Sequence, residues 1–368
     1  MSIYITGHNQ LEQGIYRAEK SLTSLMVHGH PGIGKSFTFK KAAQRIANEK
    51  GLEFSEDPAD INNKKKYVFI VLNMHQFDLA EIKGLPYPSE DGTYIKFLPT
   101  ELLPREGQGM ILLDELNLAV PTVQANCYQI VNEKRIGAYK IPDEYSVFAA
   151  GNLSEDRAHT FDMPAPLNNR LRHVQLAVPS SEDWIKNYAV PAKVDHRVVS
   201  FLASRDDMLY KFNGDEDEIS FPTPRTWDIL SRSIAGHEDE NALEFDACSS
   251  VGVAAGTQFV AHIKMAMEFD IAKIFETSTL PVDVKNSEPS VVYALISSII
   301  SFYKKKSGKD DGTAAKAVLT VSQEFNKEHE IMVLSLANSV NPKFFDILTS
   351  MDEEEVFKAC KKIAPYLL

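Results

Sequence analysis

Short apolar runs punctuate the first half of the chain: Leu22–His28 (LTSLMVH), Tyr67–Asn73 (YVFIVLN), Met110–Asp114 (MILLD) and Ser146–Ala150 (SVFAA), with a further candidate at Val174–Val178 (VQLAV). Their near-continuous apolar character suits strands covered by helices on both faces, as in a parallel sheet. Helical spacing fills the gaps: Phe37–Glu49 follows the first run and ends before Gly51, and Thr122–Glu133 follows the third and opens after Pro121. This alternation predicts an α/β fold with a doubly wound parallel sheet. Glu81–Gly109 breaks the rhythm. It is rich in Pro and Gly and carries one strand-like piece, TYIKF, after Asp91-Gly92, which reads as a hairpin inside a long functional or mobile insertion. A smaller hairpin is expected at Lys134–Pro142, turning near Gly137.

Beyond about Pro179 the pattern becomes helical, at Asp183–Tyr188, Arg197–Leu202, Thr226–Ala235 and Glu244–Lys264. Residues 280–368 continue it without a readable motif. Asp215–Glu218 and Lys305–Gly312 read as solvated loops, and Asp352–Glu355 as a solvated face or helix start. No repeat of solenoid period is present.

At 368 residues the chain is long enough for one large domain or two. A hydrophobic share of 44% with 24% charged residues excludes disorder for most of it. The balance of 39 Lys+Arg against 51 Asp+Glu, net −12, makes it a poor partner for non-specific nucleic-acid or anionic-membrane binding. A local basic groove in an assembled ring stays open. Cys127, Cys248 and Cys360 form no CxxC pair, which argues against a disulfide framework or a zinc site and suits buried thiols in a reducing cytosol. The first twenty residues lack a basic stretch followed by an apolar one, and no segment approaches ~18 uninterrupted apolar residues. The expectation is a cytoplasmic protein without membrane contact.

The candidate chemistry starts at Gly29–Ser36, GHPGIGKS, which fits G-x-x-x-x-G-K-[ST] between an expected strand and helix. Gly29, Gly32 and Gly34 let successive N–H groups turn toward one point, and the helix start adds partial positive charge. Lys35 can reach the β- and γ-phosphates, and the Ser36 hydroxyl can ligate Mg²⁺. The nucleotide-contacting segment is then Gly29, His30, Pro31, Gly32, Ile33, Gly34, Lys35, Ser36 and Phe37. Next, MILLDE delivers Asp114 and Glu115 at a strand end. Asp114 suits Mg²⁺ held through water, and Glu115 can polarise the attacking water. Asn152, in SVFAAGN, can orient that water, although a turn Asn after Gly is a common arrangement. Arg170 and Arg172 (LNNRLRH) and Arg225 (FPTPRTW) are candidates for stabilising transition-state charge. An isolated surface Arg is ordinarily a solvated ion-pair partner, so only position relative to the other motifs raises these three.

Other features read more plainly. His28 and His30 flank Gly29, one ending a strand and the other lying in the phosphate loop, rather than forming a metal site. His237–Glu240 reads as a solvated helix edge, and Trp184 and Trp227 as packing residues near helix starts. Tyr87, Tyr94 and Phe97 in the insertion either grip a chain passing a ring pore or pack on the insertion's own body.

The order GHPGIGKS, ILLDE, AAGN, NNRLR, TPRTW resembles that of AAA+ ATPases. Asp114–Gly137 followed by IPDEYSVFAAGN is similar to the MoxR branch, with DE-x-N after the second motif, a helix, a small hairpin and then sensor 1. The insertion ending in FLPTELLP resembles that branch's helix-2 insertion, and the resemblance covers roughly residues 20–265. It implies a P-loop AAA+ module over 1–179 with the insertion at 81–109, an α-helical lid over 180–265 and a C-terminal helical extension over 266–368. It implies Walker A roles for Lys35 and Ser36, Walker B roles for Asp114 and Glu115, and sensor 1 for Asn152. Arg170 becomes the arginine finger reaching a neighbouring subunit, and Arg225 becomes sensor 2. The sequence has NRL where the family commonly has an Arg-Phe pair, so Arg172 stays a rival finger. The implied cofactors are ATP and Mg²⁺, with GTP not distinguished. The implied partners are further copies of the chain in a hexameric ring, a protein client and a von Willebrand factor A domain protein. Two rivals stand beside this reading. One is a nucleic-acid motor like the GTP-using restriction AAA+ proteins, against which the net charge counts. The other is a non-hydrolysing switch or scaffold, against which Glu115 and Asn152 count.

Overall fold

The five apolar runs all become strands, and short neighbours extend the sheet they build. The computed structural model describes residues 3–137, 139–153, 156, 160–212, 219–236, 239–284, 286–306, 311–351 and 356. Packing divides the chain into two units, Met1–Val178 and Pro179–Leu368.

In the first unit the strands are β1 (Tyr4–Thr6), β2 (Leu25–His28), β3 (Glu53–Ser55), β4 (Lys66–Asn73), β5 (Leu85–Pro88), β6 (Ile95–Leu98), β7 (Gln108–Asp114), β8 (Arg135–Ile136), β9 (Tyr139–Lys140), β10 (Tyr145–Gly151) and β11 (Arg172–Leu176). Seven of them form one sheet in the order β1-β11-β2-β10-β7-β4-β3. Every pairing in it is parallel. From β2 the chain crosses to the far edge at β3, steps back inward through β4, β7 and β10, and passes across β2 to β11, a reversal that opens a crevice at the carboxyl ends of the strands. β11 lies two residues earlier than the Val174–Val178 run, because its register sets Arg172 beside Leu25.

The helices of this unit are α1 (His8–Lys20), α2 (Lys35–Glu49), α3 (Leu79–Lys83), α4 (Pro121–Glu133) and α5 (Ala165–Asn168). α1 and α2 bury Leu11, Ile15, Phe39, Ala43 and Ile46, and the Phe39 ring meets Phe148 of β10 at 5.6 Å. On the opposite face, α4 packs Val123, Cys127 and Ile130 against Ile111, Leu113 and Val147. Burial on both faces explains why the strands read as unbroken apolar runs. It also pushes the Cys127 thiol up to about 12, so this cysteine packs as a small hydrophobe. Cys248 is half-buried, while Cys360 lies outside the described residues. Both expected hairpins form: β5 pairs antiparallel with β6, and β8 with β9. The first of them holds Tyr87, Tyr94 and Phe97 exposed.

The second unit is helical: α6 (Ser181–Trp184), continued by a π turn at Ile185–Ala189, then α7 (His196–Ser204), α8 (Pro224–Ser233), α9 (Glu240–Val251), α10 (Val253–Met267), α11 (Ile271–Thr277), α12 (Pro289–Lys306), α13 (Asp311–Ser322), α14 (Lys327–Val340) and α15 (Phe344–Thr349). The single helix expected over Glu244–Lys264 is two, broken at Gly252 (φ +84°). Trp227 anchors the core, fully buried between Phe201 and Phe259, with its indole N–H donating to Met208 O at 2.8 Å. Trp184 is also buried there. Asp215–Glu218, His237–Glu238, residues 307–310 and Asp352–Glu355 lie outside the described residues. No helix among the described residues is long and apolar enough to cross a membrane.

Buried ionisable groups make this core pH-sensitive. Asp195 caps α7, accepting the Arg197 N–H at 3.0 Å and the Arg197 guanidinium at 2.8 Å. Burial works against its charge, yet His196 and Arg197 hold its pKa down at about 2. His196 and His262 of this unit, and His28 of the first, are each lowered from 6.5 to about 4, chiefly by burial. Each stays neutral when folded while its unfolded counterpart gains a proton, so the unfolded state binds more protons in that window and stability falls with pH. The unfolding midpoint of the full chain should therefore drop as pH falls from 6.5 toward about 4, and His262→Asn should flatten part of that slope. A midpoint constant across the window would refute the neutral buried rings.

Candidate functional site

β2 ends at His28 and α2 begins at Lys35, so the segment between them is a tight strand-to-helix loop. Gly34 takes φ +99°, a left-handed conformation that a side chain would oppose, and caps α2. Gly29 answers a different need: a Cβ there would stand 2.9 Å from Ile33 Cδ1 and 3.2 Å from Leu176 O. Pro31 and Gly32 form the turn, Ile33 is buried beneath it, and Phe37 is exposed on the first turn of α2. A ring nitrogen of His8, the first residue of α1, holds Ile33 O at 2.8 Å.

The parallel register sets Gly151 beside His28 and Asn73 beside Asp114, which brings four strand ends to the edge that carries this loop. Lys35 Nζ donates to Gly29 O at 2.6 Å, His30 O at 3.0 Å and Asn152 Oδ1 at 2.9 Å. Ser36 Oγ donates to Asp114 Oδ2 at 2.6 Å. The structure thus joins Lys35, Ser36, Asp114 and Asn152 in adjoining contacts. Glu115 follows Asp114 directly, at φ +54°, and its N–H donates to Asp114 Oδ1 at 3.0 Å. A non-glycine residue in this region is strained, a feature that clusters at functional sites.

A hydroxyl facing a carboxylate beside an ammonium and a helix start is a donor set of the right chemistry for a triphosphate with a hard divalent cation. Ser36 and Asp114 would hold the cation, and Lys35 and the loop N–H groups the phosphates.

Three supporting residues were given no role by the sequence alone. His75, just after β4, sets its ring Nδ1 against the Glu115 carboxylate. Asn117 grips the Asn152 peptide through two hydrogen bonds. Asp156, its side chain 1% exposed, pairs with His30 and accepts the Leu153 N–H at 2.9 Å. Asn117 stood in the sequence as the last residue of DE-x-N without a role attached; His75 and Asp156 left no signal, because their partners lie on other segments. His28, below the loop, contacts the ring of His173 at 3.0 Å.

The arginines lie elsewhere. Arg170 is exposed on the turn after α5, where Nε donates to Asn132 Oδ1 at 2.8 Å. Arg172 opens β11 beside Leu25 and donates to Thr23 Oγ1 at 3.1 Å. Leu25 starts β2 whereas the phosphate loop follows its end, so Arg172 stands at the opposite edge of the sheet from its own chain's loop. Arg225 belongs to the second unit, exposed in the first turn of α8 behind a Thr223–Thr226 capping box.

No protein-family model matches the sequence. Midasin of Giardia intestinalis is 25% identical over 179 residues, which cover 46% of this chain and 3% of that protein. The chain therefore spans only a small part of the length of this curated relative. Among solved structures, NtrX from Brucella abortus in complex with ADP aligns at 14% identity over 97% of this chain and 68% of its own, TM-score 0.33. A RuvB mutant from Thermotoga maritima aligns at 13% identity over 75% and 78%, TM-score 0.36. Similarities this remote carry no argument about what the chain does. The fold expected from the pattern, α/β with a doubly wound parallel sheet followed by a helical half, is the fold observed.

Asp156→Ala removes the buried acceptor of both His30 and the Leu153 N–H. With His30 partly solvated, the expected loss is about 2 kcal/mol of stability, read from denaturant unfolding. A loss below about 0.5 kcal/mol would mean that the pair does not hold the loop.

Proposed function

We propose that this chain is an ATP-hydrolysing P-loop protein of the AAA+ class, of MoxR type, working as a hexameric ring on a protein client beside a von Willebrand factor A domain partner. The observation that carries the reading is the convergence of the Lys35 ammonium, Ser36 hydroxyl, Asp114 carboxylate and Asn152 amide at one edge of the sheet.

Each side chain then has a defined task. Lys35 exchanges loop carbonyls for phosphate oxygens, and Ser36 and Asp114 hold Mg²⁺. The bound ion supplies charge neutralisation on the phosphate oxygens. Glu115 takes a proton from the attacking water onto its carboxylate, oriented by His75. Asn152 turns that water toward the γ-phosphate. Arg170, exposed beside Asn132, is proposed to serve a neighbouring copy, with Arg172 as the rival. Arg225 is proposed as sensor 2. The net charge of −12 favours a protein client over nucleic acid.

Glu115→Gln tests the chemistry. Nucleotide affinity should stay within about threefold of the parent while turnover falls at least about 100-fold; parental turnover would refute the base. Mixing tests the shared site. Arg170→Ala and Lys35→Ala chains, each inactive alone, should regain turnover when combined at equal amounts, since about a quarter of interfaces then pair an intact loop with an intact finger. Recovery seen only when Arg172→Ala replaces Arg170→Ala would move the role to Arg172.

A further inference from the structure

The Asn152 peptide is held by a side chain from another segment. Asn117 Nδ2 donates to Asn152 O at 2.7 Å, and Asn117 Oδ1 accepts the Asn152 N–H at 3.1 Å. A carboxamide that satisfies both polar groups of one residue closes a ring of two hydrogen bonds, which opposes rotation about that residue's φ and ψ. Asn117 is 8% exposed, so water competes poorly for either bond. The approach is close enough to dictate the preceding residue: a Cβ on Gly151 would collide with Asn117 Oδ1 and stand 2.6 Å from Met26 Cε. On its other side, Asn117 O accepts the Phe161 N–H at 2.8 Å. Asn152 Oδ1 meanwhile meets Lys35 Nζ at 2.9 Å.

We propose that Asn117 is the positioning residue of the site: it locks the Asn152 backbone so that the Asn152 amide faces Lys35, and through its own carbonyl it ties that orientation to Phe161, at the head of the segment leading to Arg170. The proposal rests on the hydrolase reading above. Asn117 touches no reacting atom, so it acts only through Asn152. An aliphatic residue here would strand two polar groups, and an aspartate would turn a carboxylate toward the Asn152 carbonyl. Serine is too short to reach both groups.

A double-mutant cycle on the full chain tests it, with kcat, KM and ADP affinity measured for each member. Asn117→Ala and Asn152→Ala should each lower kcat about tenfold or more while KM and ADP affinity stay within about threefold. The double variant should fall no more than about twofold below the weaker single one, because the first change already removes what the second acts through. Gly151→Ala, whose Cβ crowds the Asn117 amide off its partners while residue 117 stays asparagine, should reproduce the Asn117→Ala profile and serves where Asn117→Ala does not fold. A double variant that loses the product of the two single losses overturns the positioning role, as does Asn117→Ala at parental kcat. A parent chain without turnover overturns the hydrolase reading and this proposal together.

Discussion

The Lys35 ammonium is the charge around which the first unit is arranged. It is 9% exposed, and taking an ammonium out of water costs several kcal/mol. Gly29 O, His30 O and Asn152 Oδ1 offset that cost, since hydrogen bonds to a charged donor contribute about 1.5–3 kcal/mol each. Two of these acceptors need the loop to double back, which Gly34 permits. The third needs β10 to end level with β2, which the parallel register enforces. A slip of one residue between those strands would carry Asn152 away from the ammonium and send each side chain of the slipped strand into the core on the other face of the sheet.

The same register sorts chemistry between the two edges of the sheet. Parallel strands share a direction, so the ends of β2, β4, β7 and β10 lie together. Acids, amide and lysine collect there, while Arg172 stands at the start of β11 on the other side. The edge that holds the loop is further tightened by contacts that cross the sequence: His75 to Glu115, Asp156 to His30, and Asn117 to Asn152. These hold the first ring of side chains in place before any ligand arrives, which is how a fixed site avoids reorganisation during reaction.

Much of this was legible in the sequence because it is local. The glycine spacing of GHPGIGKS, the apolar run ending in Asp114-Glu115 and the helix after Pro121 each encode their conformation within a dozen residues. Three-residue strands such as β1 and β3 are too short to show a period. β5, with two prolines in four residues, reads as a loop until β6 pairs with it. Gly252 splits a helix whose apolar spacing continues almost unbroken, so periodicity alone joined α9 to α10.

The sequence by itself determined the α/β class, the phosphate loop and which acids and amide end the central strands. These follow from backbone preferences and burial patterns carried by contiguous residues. Tertiary structure alone decided that His75 faces Glu115, that Asn117 clasps Asn152, that Asp156 takes His30, and that Arg172 stands at the opposite edge of the sheet from its own loop. Those outcomes depend on strand pairing and loop closure between segments far apart in the chain, as in the 35 positions from Asn117 to Asn152. A hydrogen bond across such a span leaves no periodic trace in either segment.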